Sequence, residues 1–349
     1  MTHSFYRNKR VLITGHTGFV GSWLTLWLHE QGANIIGYSF KPPSKPYLYQ
    51  YLKFRDKITN IKGDIRKADT ISNVIKTYKP EVIFHLAAQP ILLKSYDAPV
   101  DTYLTNTVGT LNLLEACKKS QDSIKAVVIV TTDKVYENLG YKHQYKEGDK
   151  LGGFDPYSSS KACAEIIAKS YKNSFLQGMG IATVRAGNII GGGDWGEYRI
   201  ITDLIKSYTT GATLKLRHPD AVRPWTYILD TVNGYILLGE NLYKNPIRFS
   251  GPWNFSAAYE KTVMDLVEEF SKYLNVRYTT VKSAKKHEDK LLLLNSSKVR
   301  SLLNWKPIIN FEKSIRYTAE WYIDFYKNKG SDIYTYSKKQ ILAFQKVSE

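Results

Sequence analysis

Tyr157 and Lys161 stand four residues apart in "YSSSK", and "TTDK" (131 to 134) lies upstream of them. On a helix, residues at i and i+4 share one face. A phenol beside an ammonium is an acid–base device, because a nearby cation favours the phenolate. Thr132 offers a hydroxyl that can hold the same substrate oxygen, and Asp133 and Lys134 add an acid and an amine in succession. An isolated pair of this kind is as readily a buried tyrosine and a surface lysine, so its meaning depends on the elements around it.

Those elements begin at the N-terminus. "RVLIT" (10 to 14) is a short apolar strand, "GHTGFVG" (15 to 21) a glycine-rich turn, and "FVGSWLTLWLHEQG" (19 to 32) has apolar residues on helical spacing up to Gly32. Gly15 permits the tight turn, Gly18 the approach of a pyrophosphate to the backbone, and Gly21 close packing of helix on strand. Phosphates then rest on the exposed amides of the helix N-terminus. Strands are expected at 34–39, 58–62, 81–86, 126–132 and 181–187, with helices at 67–78, 100–119 and 157–175. Nearly continuous apolar strands separated by helices specify an α/β fold, a doubly wound parallel sheet of the dinucleotide-binding Rossmann type. After about residue 188 the rhythm becomes irregular. Residues 1–187 are therefore expected to bind the dinucleotide, with part of 228–256 returning to that unit, and 188–349 to form a smaller substrate domain.

Composition narrows the function classes. The 349 residues are 43% hydrophobic and 23% charged, without a low-complexity tract, as a buried core requires. A net charge of +17 comes from dispersed basic residues, mostly lysines, without a nucleic-acid motif; a positive field of this kind suits a phosphate-bearing small molecule. Two cysteines, Cys117 and Cys163, both in expected helices, point to a reducing cytoplasm without a disulfide framework. His16 and the glycines interrupt the N-terminal apolar run, and no unbroken apolar stretch is long enough to span a membrane. No His or Cys spacing supports a metal, and His85, on an apolar strand, is expected in the core.

In this frame "TTDK" ends a strand and "YSSSK" opens a helix, so both reach the carboxyl edge of the sheet where ligands bind. Lowering the tyrosine pKa by ~3 units takes ~4 kcal/mol, which an ammonium and a positively charged nicotinamide can supply in a partly dry site. Tyr157 then removes the proton of a substrate hydroxyl while the carbon beneath it loses hydride, with Thr132 bonded to the same oxygen.

"TGHTGFVGSWL", "HLAAQP", "YSSSK" and "RAGNIIGGGDW" together resemble the extended short-chain dehydrogenase/reductases that act on nucleotide sugars. "TTDKVYEN", "DPYSSSKACAE", "AGNIIGGGDW" and "RPW" are similar, more narrowly, to the sugar 4,6-dehydratases of the CDP-sugar branch, over nearly the whole chain. The resemblance implies oxidation at C4, loss of water across C5 and C6, and return of hydride to C6. Thr132, Asp133, Lys134, Tyr157 and Lys161 are then catalytic. Asp133 protonates the leaving C6 hydroxyl, and Lys134, where most sugar dehydratases carry a glutamate, takes the C5 proton as a neutral amine. The two should titrate as a coupled pair.

Matching the motifs assigns the cofactor to Gly15, His16, Thr17, Gly18, Phe19, Val20 and Gly21, to Ser39 and Lys41, Asp64 and Ile65, Leu86, Ala87 and Ala88, Asn106, Tyr157 and Lys161. Gln89, Asn188, Arg199 and Arg223 are assigned to the nucleotide sugar, Arg223 by bidentate pairing with phosphate. The second strand ends on Ser39 and Lys41 instead of the acid that holds the ribose of NAD, and a lysine there would suit NADP. NAD is expected all the same, because the CDP-sugar dehydratases use NAD without that acid. A homo-oligomer, dimer or tetramer, is expected through the helices at 100–119 and 157–175. A nucleotide-sugar 4-epimerase or reductase would share Tyr157 and Lys161 without needing Asp133 and Lys134. A dinucleotide-sensing regulator would not need the intact Thr132, Tyr157 and Lys161 set.

Overall fold

Alternation of apolar runs with helices produces seven parallel strands: β1 (Arg10–Thr14), β2 (Asn34–Ser39), β3 (Thr59–Lys62), β4 (Val82–His85), β5 (Ala126–Val130), β6 (Gly180–Ala186) and β7 (Gly251–Phe255). They are ordered β7-β6-β5-β4-β1-β2-β3. The computed structural model describes residues 5–42, 44–54, 57–257, 260–281 and 291–348. Strand order reverses between β1 and β4, so a crevice opens at their carboxyl ends.

Side chains along each strand alternate between two cores. Val11, Ile13, Ala126 and Val128 face one, and Leu12, Val127 and Ile129 the other. Helix α1 (Phe19–Glu30) contributes Trp23, Leu24, Trp27 and Leu28 to the first. Helices α2 (Ala68–Tyr78), α3 (Gly109–Lys118) and α4 (Pro156–Ser174) close the second with Ile71, Leu113, Leu114 and Ala168. Burial on both faces explains why the strands read as continuous apolar runs.

Two local departures from the expected elements shape the site. The strand expected to reach residue 132 stops at Val130, and although the Thr131 amide still donates to Val184 O (2.8 Å), Thr132 caps a 3₁₀ turn at Asp133–Val135 by accepting from the Lys134 amide. The helical run over 99–118 is not uniform: Pro99–Tyr103 leads into a π turn at Leu104–Val108 before α3. Such turns reset which face each residue presents and recur at functional sites.

Beyond β6 the chain forms short pairings outside the sheet. Ile189–Ile190 runs parallel to Thr226–Tyr227, Leu214–Leu216 lies beside Tyr278–Thr280, and α5 (Ile200–Thr210) lies between them in sequence. Helix α6 (Ile228–Lys244) then packs on the face of α1, and β7 adds to the sheet beside β6, Gly251 opposite Ala182. The Cys117 thiol is buried, which pushes it up to about 12, and neither cysteine is in a disulfide. Among the described residues no helix is long and apolar enough to cross a membrane, and no group of three or more His, Cys, Asp or Glu could hold a metal.

Asp230 on α6 holds the Trp305–Ile309 segment of the C-terminal half. Asp230 accepts from the Ile308 amide through Oδ1 (2.7 Å) and the Ile309 amide through Oδ2 (3.3 Å), while Trp305 Nε1 donates to its carbonyl (3.0 Å). Asp230→Ala leaves two amides without their acceptors and is expected to lower the unfolding free energy by about 1–3 kcal/mol in urea titration. An unchanged midpoint would remove Asp230 as a tie.

Candidate active site

β1 turns into α1 at distances that exclude side chains. Gly15 has φ +75°, and a Cβ on it would lie 2.7 Å from the Ala87 nitrogen; one on Gly21 would lie 2.2 Å from Gly15 O. No side chain caps α1, whose N-cap is Gly18, so the positive end of the helix is left for an anion. Thr17 to Gly21 border a cavity of about 930 Å³ at the carboxyl edge of the sheet.

That cavity gathers most of the residues singled out in the sequence. Gly15, Thr17, Gly18, Phe19, Val20 and Gly21, together with Ser39, Lys41, Asp64, Ile65 and Leu86 to Gln89, line one part of it. Thr132, Asp133, Lys134, Tyr157, Lys161, Asn188, Arg199 and Arg223 line the rest. The two fragments "TTDK" and "YSSSK" therefore meet, as one strand end and one helix start facing a common space.

Two assignments, His16 and Asn106, need correction, and a third, Gln89, is placed in the cavity wall with its side chain already engaged. His16 is fully buried and does not line the cavity: its Nδ1 is 2.9 Å from Ser39 Oγ and its Nε2 2.9 Å from Asn60 Oδ1. Burial pushes it down to about 4, so it is a neutral prop for Ser39 and not a cofactor contact. Gln89 lines the cavity, but its side-chain amide donates to Ile91 O (3.1 Å) and Thr102 Oγ1 (3.0 Å) and accepts from Ile91 N (2.7 Å). That side chain braces its own loop at the cavity wall. Asn106 lies behind the wall, its Oδ1 accepting from Gln89 N (2.8 Å) and its Nδ2 donating to Ser160 Oγ (2.9 Å).

Asn106 also ends a directed hydrogen-bond chain under the cavity. Ala87 N donates to Thr14 Oγ1 (3.2 Å), which faces His85 Nδ1 (2.7 Å); His85 Nε2 faces Thr110 Oγ1 (3.1 Å), which donates to Asn106 O (2.7 Å). Since the backbone fixes both ends, His85 carries its proton on Nε2. Burial holds it neutral, down to about 3, as a core histidine.

Electrostatics of the reacting end run opposite to the expected phenolate. Burial pushes Tyr157 up to about 12; a hydrogen bond with Thr132 and the charge of Arg199 oppose this, and Asp133 reinforces it. Burial pushes Lys161 down to about 8, with Glu165 opposing, and Lys161 Nζ donates to Val130 O at 2.9 Å. Tyr157 is thus a phenol in the protein alone, and its activation must come with positive charge brought into the cavity. Thr132 Oγ1 donates to Asp133 Oδ1 (2.9 Å), and Asp133 is buried while Lys134 is half-buried beside it.

Other cavity residues were missed in the sequence. Asp194 accepts from Arg199 Nη1 at 2.6 Å and aims its guanidinium; "GGGDW" carried that signal. Lys215, Arg217 and His218 also line the cavity, and a basic cluster in "LKLRH" could have marked them. Arg66 grips Asp64 through two nitrogens at 2.7 to 3.0 Å, which holds that carboxyl below the usual range.

The uncapped helix N-terminus, the Cβ-free cradle and the cationic rim fit a dinucleotide and a second phosphate-bearing ligand. Fold and site together define a dinucleotide-binding enzyme of the short-chain dehydrogenase/reductase class. The chain belongs to the GDP-mannose 4,6 dehydratase family, whose model it matches over residues 12–318. It is 39% identical to the CDP-glucose 4,6-dehydratase of Salmonella typhimurium, the alignment covering 97% of this chain and 96% of that protein. Its structure is similar to that of a dTDP-glucose 4,6-dehydratase from Bacillus anthracis in complex with NAD, with a TM-score of 0.78, 27% identity, and coverage of 92% of this chain and 97% of that one. A UDP-glucose 4-epimerase from Thermotoga maritima shares the fold (TM-score 0.80, covering 91% and 99%), but at 21% identity it says nothing of the chemistry.

The glycine turn makes a direct test. Gly21→Ala forces a Cβ against Gly15 O and should cost about 1–3 kcal/mol of stability, while weakening NAD binding measured by fluorescence quenching. Wild-type affinity in that variant would show that the turn yields without consequence.

Proposed function

We propose that this chain is a CDP-glucose 4,6-dehydratase, converting CDP-glucose to CDP-4-keto-6-deoxyglucose. The observation that carries the proposal is the convergence of Thr132, Asp133, Lys134, Tyr157 and Lys161 on one cavity. The extent of the match to the Salmonella protein supports the substrate. Bound NAD supplies the redox chemistry, accepting hydride from the sugar and giving it back within one turnover.

The residues of the chain do the proton work. Tyr157, bonded to Thr132, takes the proton of the C4 hydroxyl, and Lys161 contributes the cation that favours its phenolate. The C4 ketone acidifies the C5 hydrogen. Lys134, as a neutral amine, removes that hydrogen, and Asp133 protonates the C6 oxygen as it leaves. Arg223, Arg199 and Asn188 hold the diphosphate and sugar, with Arg199 oriented by Asp194. Lys41, exposed at the end of β2, holds the adenosine end of NAD together with Ser39, Asp64 and Ile65. We assign the dinucleotide to residues 1–187 with β7, and the nucleotide sugar to the remainder.

The enzyme works in the cytoplasm, supplying a deoxysugar for surface polysaccharide. It is a homo-oligomer, dimer or tetramer, formed through the helical run 99–118 and α4, where Val100 (70% exposed), Leu104 and Ile166 (58% exposed) leave apolar side chains in solvent.

Incubation with a panel of nucleotide-linked hexoses should give, for CDP-glucose, a product lighter by one water in mass spectrometry, with no net release of reduced nicotinamide. A product of unchanged mass inverted at C4 would make the chain an epimerase, and stoichiometric reduced cofactor would make it a simple dehydrogenase.

The dehydration step has its own test. Lys134→Met should slow product formation by about 10²–10⁴-fold, and in heavy water the recovered sugar should carry no deuterium at C5. Asp133→Asn should retain C5 exchange while eliminating water poorly. Near-normal product carrying solvent deuterium at C5 in Lys134→Met would assign the base to another residue.

A further inference from the structure

One turn beyond Lys161 on α4, Glu165 is buried, and none of the chemistry above uses it. Its carboxylate accepts four hydrogen bonds: from Thr131 Oγ1 (2.6 Å), Thr183 Oγ1 (2.5 Å), Arg185 Nε (2.9 Å) and Arg185 Nη2 (2.8 Å). Arg185, on β6 and also buried, donates through Nη1 to the Tyr136 hydroxyl (2.7 Å) and to Glu147 O (3.2 Å). Thr131 immediately precedes Thr132, and Tyr136 immediately follows the Asp133–Val135 turn. One ion pair therefore touches α4, the end of β5, β6 and the far side of the catalytic turn.

Stability alone does not call for such a pair. An apolar pair of similar volume is often at least as stable as a buried salt bridge, because desolvating two charges is costly. Glu165 does two things an apolar residue cannot: it binds the hydroxyl of the residue before Thr132, and it sets a fixed anion one helical turn from Lys161.

We propose that Glu165, held by Arg185, is a positioning residue for the reaction, pinning the Thr132–Lys134 turn to α4 and acting as the counter-charge that keeps Lys161 a cation. The proposal rests on the role given above to Lys161, not on the identity of the sugar.

The groups around Lys161 leave Glu165 as its supporting anion. His85, facing it from β4, is neutral; Val130 O on β5 accepts its proton but carries no charge; Tyr157, on the same helix, is a phenol. Asp133, in the turn, acts on Tyr157, and Arg185, on β6, acts on Glu165 and Tyr136. Burial pushes Lys161 down to about 8 against the pull of Glu165. A lysine is charged below its pKa, so losing the anion lowers the pH at which Lys161 loses its proton.

The test compares wild type with Glu165→Gln, Glu165→Gln/Arg185→Met and Thr131→Val. The dissociation constant of NAD, followed by fluorescence quenching against pH, reports the charge of Lys161 whether or not CDP-glucose is the substrate. Its alkaline rise should begin about one pH unit lower in the double variant, and lower still in Glu165→Gln, where Arg185 is left unpaired. Thr131→Val keeps both charges; it should lower kcat for CDP-glucose about ten- to a hundredfold with KM and the NAD profile unchanged. If the charge variants bind NAD with the wild-type pH profile and differ only in melting temperature, the pair supports the fold alone and the proposal fails. A normal kcat in Thr131→Val would refute the pinning of the turn. Should Glu165→Gln not fold, the double variant, free of the unpaired cation, decides the charge effect.

Discussion

Everything in the site descends from an approach that no side chain permits. The backbone at Gly15 lies so close to Ala87, and Gly21 so close to Gly15, that a Cβ at either position would overlap main-chain atoms. Only then can α1 start directly over the end of β1, at the place where strand order reverses. The same contact sets the Leu86 to Ala88 segment against the glycine turn, and Thr14 fastens it by accepting from Ala87 N. A backbone constraint at one corner thus decides where the cavity floor lies.

From that corner the polar groups under the floor are consumed in order. Thr14, His85, Thr110 and Asn106 satisfy one another, and Asn106 also holds Gln89 and Ser160. A buried polar group without a partner would be costly, and here the chain of bonds both avoids that cost and fixes α4 relative to β1 and β4. What remains unsettled is charge. With Tyr157 held up as a phenol, the protein alone keeps its proton acceptor away from its working state, while Lys161, though pushed down to about 8, stays a cation at neutral pH. The low dielectric that causes those shifts also strengthens the effect of any charge entering the cavity, so activation is coupled to occupancy.

Much of this was legible in the sequence because its signals are local. Two-sided apolar strands, the glycine triplet at 15, 18 and 21, and the i, i+4 spacing of Tyr157 and Lys161 each follow from backbone periodicity or turn sterics. The strand ends at 10–14 and 34–39 were read to the residue for that reason. Illegible parts are those decided by partners distant in sequence. Glu165 meets Arg185 on another strand, Asp194 turns Arg199, and His16 faces Asn60 across the sheet edge. The bonds that Gln89 makes within its own loop, closed on Thr102, were hidden because a motif match says nothing of them. The π turn at Leu104–Val108 was hidden as well, since apolar spacing cannot distinguish one extra residue per turn inside a long helix.

The 3₁₀ turn explains how two neighbouring residues can border one cavity. Asp133 and Lys134 are adjacent in sequence, and on a strand they would point to opposite faces, only one of which could meet the ligand. A turn of three residues separates successive side chains by about 120°, which lets both border the same cavity while approaching it from different directions. Thr132 makes that turn by accepting from the Lys134 amide and donating to Asp133. The elimination proposed above, with Asp133 as acid at the C6 oxygen and Lys134 as amine at the C5 hydrogen, would need this divergence, because adjacent carbons of one sugar must be addressed at once. The early end of β5 at Val130 is therefore the local event that brings both side chains to the cavity wall.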